Sequence, residues 1–243
     1  MPEASLNISL KVKDARRTLK ALANPEKAKI LSSFFKTAHG QYGYGDVFLG
    51  VMVPQTRATA RAFHRLPVEE TLELLHSRIH EERLLALLIL VDQFKKGGIN
   101  DRQAIYNLYL SNTRHINNWD LVDLSAPQII GGYLIDKDRS LLTKLSDSRS
   151  LWERRMAILA TFPFIKNNDL FDTFRIAERL LTDKHDLIHK AVGWMLREAG
   201  KRNQEEEEKF LKIHYKCMPR TMLRYAIERF EETKRQNYLQ SKI

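Results

Sequence analysis

The chain has 243 residues, 43% of them hydrophobic, enough to bury a sizeable core and close to the size of one large domain. Its 40 Lys and Arg against 30 Asp and Glu leave a formal charge of +10, which favours a polyanionic partner such as nucleic acid. The single cysteine, Cys217, rules out a disulfide framework and a cysteine-built zinc site, and the longest apolar run, LLALLILV at 84–91, falls far short of a bilayer-spanning helix. The expectation is a soluble, cytoplasmic, monomeric protein of one domain, residues 1–243.

In chain order, GDVFLGVMVP is the one strand-like stretch; with no second alternating run to pair with, it reads as a loop and a short helical turn. The glycines of GYGDVFLG lack the preceding strand and the Gly-Lys-Ser/Thr ending of a phosphate loop, so they are assigned to a surface turn. Pro54 opens a helix, PQTRATARAF, whose N-terminal amides and Arg57 and Arg61 are candidates for a DNA phosphate. In RLLALLILVDQFKK the three-and-four spacing of Leu85, Leu88, Ile89, Asp92 and Phe94 marks one helix face, and charge is expected on the other. Pro127 in NNWDLVDLSAPQII marks the start of a new helix.

Similar helix openings recur. ERLLALLIL near Arg83, WDLVDLSAPQII at Trp119, RRMAILATF at Arg155, KAVGWMLRE at Lys190 and LRYAIERF at Arg224 are spaced by 36, 36, 35 and 34 residues. A near-constant period with helical content throughout predicts stacked two-helix units, as in HEAT-like repeats. In such a superhelix Trp119, Asp123, Arg155, Lys190 and Trp194 converge on one concave basic face.

Trp119 and Asp123 are four residues apart, so on a helix they share a face while Asp120 points about 100° away. An indole beside a carboxylate is a poor phosphate site but suits a cation. The partner of a basic protein with such a site is therefore a polyanion carrying a local positive charge, and a purine alkylated at a ring nitrogen of DNA fits that description. A cationic base is already activated to leave, so one carboxylate suffices to stabilise the oxocarbenium charge and place a water. Sugar hydrolases need a second carboxyl because their leaving oxygen is neutral; Asp120 is not required. Arg155 either clamps a phosphate or orients Asp123 through a salt bridge. Trp194 has Gly193 beside it for close approach of backbone or ligand, and Lys190 lies one turn earlier.

Taken in order, NNWDLVD, LWERRMAIL and HKAVGWMLRE resemble the AlkD-type DNA alkylation-repair glycosylases, as do the N-terminal NPEKA and FLGVMVP, over roughly residues 20 to 230. The resemblance implies an all-α, right-handed HEAT-like solenoid that excises N3- and N7-alkylpurines from double-stranded DNA without metal or cofactor. It also implies a lesion that need not be swung into a deep pocket. The family's catalytic aspartate falls on Asp123, its lesion-facing tryptophans on Trp119 and Trp194, and its arginine beside the lesion on Arg155. Phe34 stands where some relatives carry a tyrosine, so a hydroxyl contact is lost there. The rival reading is a non-catalytic HEAT-like binder of branched or distorted DNA, and a second rival is a protein scaffold.

Lys190, Arg197, Arg57 and Arg224 complete the DNA-binding candidates. His76 and His80, like His185 and His189, have the spacing of metal ligands on a helix but lack the accompanying glutamate, and read as surface histidines. The acidic run QEEEEKF reads as a solvated helix N-terminus.

Overall fold

The computed structural model describes residues 11–243, and among them no strand is formed. The chain divides into two compact units, one of residues 11–108 and 114–121, the other of 109–113 and 122–243.

The first unit holds α1 (Val12–Ala21), α2 (Pro25–Phe34), α3 (Val53–Ala62), α4 (Val68–Leu75) and α5 (His80–Lys96). It is followed by α6 (Ile99–Ser111), then α7 (Trp119–Ala126), α8 (Ser140–Ser146), α9 (Leu151–Leu159) and the short α10 (Phe162–Lys166). The chain continues through α11 (Phe171–Arg179), α12 (Asp186–Gly200), α13 (Gln204–His214), α14 (Arg220–Ala226) and α15 (Glu232–Leu239). The recurring openings fall on α5, α7, α9, α12 and α14, with one helix between successive openings except after α9, where α10 and α11 intervene. This alternation is the two-helix repeat that the spacing predicted.

In the first unit α5 packs against α1, α3 and α4. It is buried on every side from residue 80 to residue 91, so the expected charged face does not exist there. Glu81, Glu82 and Arg83 are buried with the leucines; Asp92 and Gln93 are half-buried, and Lys95 and Lys96 at the C-terminal turn are exposed. A buried charge persists only when it is paired or hydrogen-bonded. Glu81 meets that demand by accepting from the amides of Leu49, Gly50 and Val51 at 3.0, 2.8 and 3.2 Å, which fastens the FLGV loop onto α5. Gly50 is indispensable to this arrangement: its φ is +83°, and a Cβ would stand 2.1 Å from the Asn24 carbonyl oxygen. The loop touches α5's entrance through one bridge, Val47 to Ile79, and forms no sheet. Pro54 sits in the first turn of α3, as expected.

In the second unit α12 is the central helix, packed against α9, α11, α13 and α14. Gly193 lets α14 approach: a Cβ there would meet the Met222 carbonyl oxygen at 2.4 Å, so the close contact is with backbone rather than a ligand. Pro127 does not open a separate helix. The chain stays helical through it and widens into a π-turn, Pro127–Gly131, because proline has no N–H to continue the ordinary ladder.

The acidic run is not wholly solvated. Asn203 caps α13 by accepting from the Glu206 amide, but Glu207 is 2% exposed and its Oε1 has no hydrogen-bond partner. Burial, with a smaller contribution from Glu208, pushes the Glu207 carboxyl up to about 9. The unfolded chain ionises this group near pH 4.5 while the folded chain keeps its proton, so stability falls by roughly 1.4 kcal/mol per pH unit between those values. Glu207→Gln is therefore expected to stabilise the protein by about 3 kcal/mol at pH 7 and by little at pH 4.5. Thermal unfolding of both proteins across pH 4.5 to 9 checks this; a constant difference would show that Glu207 is ionised when folded.

Candidate functional site

Asp123 lies on α7, one helical turn after Trp119. Its carboxylate is gripped by Arg155 of α9, whose Nε donates to Oδ1 at 2.7 Å and whose Nη2 donates to Oδ2 at 2.8 Å. Arg155 is delivered by a helix that Ser150 caps, its hydroxyl accepting from the Glu153 amide. The third arm of the guanidinium, Nη1, donates to the Leu187 carbonyl oxygen. Arg155 is 5% exposed and is directed inward, to Asp123 and Leu187. Of the two roles expected for it, this conformation displays the orienting one. A planar fork on both carboxylate oxygens fixes the carboxylate's plane. Behind Asp123, the buried Tyr109 hydroxyl and the Ser125 hydroxyl hydrogen-bond at 2.7 Å. Burial holds the Tyr109 phenol far above its ordinary range, the Ser125 hydrogen bond opposes that, and the Asp123 charge adds to it.

Trp119 begins α7 half-buried. Its indole stacks on Phe35 at 5.1 Å and 16° and meets the edge of Phe34 at 5.9 Å and 76°. Phe34 itself is 61% exposed. Asp120 turns away from this surface into the first unit, where its Oδ2 accepts from His80 Nε2 at 2.8 Å.

On α12, Trp194 is half-buried against Phe162 at 6.1 Å, and Lys190, one turn earlier, pairs with Asp186 at 2.7 Å. Arg197 on the same helix is engaged internally by Glu228 and by Glu198 at 3.3 Å. Arg57 is exposed on α3 and lines, with Arg61 and Lys95, a shallow cavity of about 150 Å³. Arg224 is exposed on α14. Among the described residues no group of three or more His, Cys, Asp or Glu could hold a metal ion, and no helix is long and apolar enough to cross a membrane.

The family model of the DNA alkylation repair enzymes matches residues 15–230. The chain belongs to this family. A solved structure of a predicted DNA alkylation repair enzyme from Enterococcus faecalis is similar in fold, with a TM-score of 0.66 at 18% identity, covering 86% of this chain and 97% of that one. Among curated proteins none matches the chain. Membership of the alkylation repair family gives the protein a role in the repair of alkylated DNA, with DNA as its substrate.

In this family member, three contributors escaped the sequence. Phe35, the stacking partner of Trp119, stands beside Phe34 in the sequence, and nothing local says which ring turns inward. Tyr109 lies in a segment without a motif. His80 reads as a surface histidine but is 2% exposed, its Nδ1 on Asp46 at 3.0 Å and its Nε2 on Asp120. Its neighbour in the helical pattern, His76, instead packs against the His115 ring. His185 caps α12 through the Leu187 amide, and His189 bonds the Asp183 carbonyl oxygen. The signal for His80 was available: an otherwise apolar helix beginning HEER carries more charge at its entrance than a buried helix tolerates without partners.

Proposed function

We propose that the protein is a monofunctional DNA glycosylase that hydrolyses the N-glycosidic bond of cationic N3- and N7-alkylpurines, such as N3-methyladenine and N7-methylguanine, in duplex DNA. The observation that carries this reading is the Asp123 carboxylate held in plane by both arms of Arg155, on the helix that also presents Trp119.

The chemistry needs little else. As the C1′–N bond breaks, its electron pair goes to the purine, which leaves as a neutral base because it was already a cation. The positive charge moves to the deoxyribose, where the fixed carboxylate of Asp123 stabilises it. Water adds to C1′ from the carboxylate's side and loses its proton, and no general acid is required. Trp119 and Trp194 offer electron-rich faces to the cationic lesion and sugar. Arg57 and Arg224 contact phosphates, while Lys190 has first to leave Asp186 and Arg197 to leave Glu228.

Release of free base from methylated duplex DNA tests the reading directly. Release by the wild type supports it; binding without release would favour a binder of structured DNA. Affinity for duplex DNA is expected to fall steeply between 50 and 200 mM salt, roughly tenfold or more for each few phosphates neutralised. An affinity insensitive to salt would point to a protein scaffold.

A further inference from the structure

The indole of Trp119 rests on a buried ionic device that the reaction itself does not use. His80, at the start of α5, places both ring nitrogens on carboxylates, Nδ1 on Asp46 at 3.0 Å and Nε2 on Asp120 at 2.8 Å. An ionised carboxylate only accepts hydrogen bonds, so satisfying both requires an imidazole with two N–H groups, which is the imidazolium. Arg83 donates to the other oxygen of Asp46 at 2.7 Å, and the four charges cancel. Asn118, at the entrance to α7, also donates to Asp46, at 3.4 Å. The second oxygen of Asp120 is buried with no hydrogen-bond partner, so the charge of Asp120 depends on His80. The imidazolium lies flat against Phe48 at 4.5 Å and 22° and beside Phe35 at 5.0 Å, and Phe35 is the ring on which Trp119 stacks.

We infer that His80 is a positioning residue for Trp119: its charged ring holds the first turn of α7 through Asp120 and holds the indole through Phe35. This rests on the reading of Trp119 as lesion-facing. It also explains why a site for a cation carries one working carboxylate and not two, since the charge of Asp120 is spent on His80.

Burial opposes the charge on His80 most strongly, but the Asp120 carboxylate and hydrogen bonds to Asp120 and Asp46 outweigh it, with Arg83 opposing, and the ring is pushed up to about 9. The groups that face it are Asp46 from the loop, Asp120 from α7 and Arg83 from α5. The protein is thus expected to keep this lock closed at neutral pH and to loosen it as pH rises through about 9.

The test combines a readout of the indole with one of turnover. With Trp152→Phe and Trp194→Phe, Trp119 is the sole tryptophan, and acrylamide quenching of its fluorescence reports how firmly it is held. His80→Gln and, as a milder alternative should that variant fail to fold, Asp120→Asn are both expected to raise the quenching slope about twofold. In the protein with all its tryptophans, the same substitutions are expected to lower single-turnover base release by roughly 10- to 100-fold, as for a displaced binding group, with affinity for methylated duplex within about threefold. In the single-tryptophan protein with His80 and Asp120 intact the slope should rise near pH 9, and Asp120→Asn in that background should move the rise to lower pH. Unchanged slopes overturn the inference, as does a raised slope with wild-type release. If the wild type releases no base, the glycosylase reading falls by itself, and the slopes and their pH dependence still decide the role of His80.

Discussion

Asp123→Asn is expected to lower the single-turnover rate of base release from methylated duplex DNA by roughly 100- to 1,000-fold, the loss found when one preorganised electrostatic group is removed from a transition state. The substitution is isosteric, so the fold and the fit of α7 are preserved, but the negative charge that meets the oxocarbenium ion is gone. Affinity for unmodified duplex should stay within a few-fold or rise slightly, because a carboxylate facing a polyanion opposes binding. The amide also places an N–H where Arg155 Nη2 now donates, so one of the two bonds that fix the plane is lost. Release at the wild-type rate would remove Asp123 from the mechanism.

Arg155→Ala is expected to cost about 3 kcal/mol in stability and to reduce release by roughly 10- to 100-fold. The first effect arises because truncation leaves the part-buried Asp123 carboxylate without the guanidinium that compensates it, which is the costly way to break an inward-facing pair. It also orphans the Leu187 carbonyl oxygen. The second effect follows from a carboxylate free to rotate out of the plane that faces the sugar. Arg155→Lys should recover part of the stability but little of the rate, since an ammonium supplies charge without the two-pronged geometry. In the Asp123→Asn background Arg155→Ala should cost markedly less, and the difference measures the pair itself. The alternative role, a phosphate clamp formed on binding, predicts weaker duplex affinity with a salt slope smaller by about one unit. Unchanged melting temperature, rate and affinity would leave Arg155 with no role.

The helical class was legible because a 3.6-residue apolar rhythm recurs from Val12 to the last helix, and burying one stripe of each helix forces that rhythm on the sequence. The repeat was legible for the same reason, since similar helix openings recur at a near-constant spacing. Where the rhythm breaks down the reading went astray. On α5 apolar and charged residues are buried together, so periodicity assigns Glu81, Glu82 and Arg83 to solvent, and only their partners bring them inside. Glu207 was misplaced similarly: a run of glutamates looks solvated throughout, yet the turn of the helix puts one against Gly200 in the interior.

The sequence by itself determined that the chain is a basic, helical-repeat member of the alkylation repair family, with an indole and a carboxylate one helical turn apart at Trp119 and Asp123. Local rules suffice for that, because helix geometry fixes which neighbours share a face. Only the tertiary structure decided which partner each of the two carboxylates takes. Asp120 is committed to a histidine 40 positions back and Asp123 to an arginine 32 positions ahead, and partners so distant in sequence are chosen by packing. Inside a protein the desolvation of a charge must be matched by a specific donor, so the fold, not the local pattern, distributes the charges between core and site.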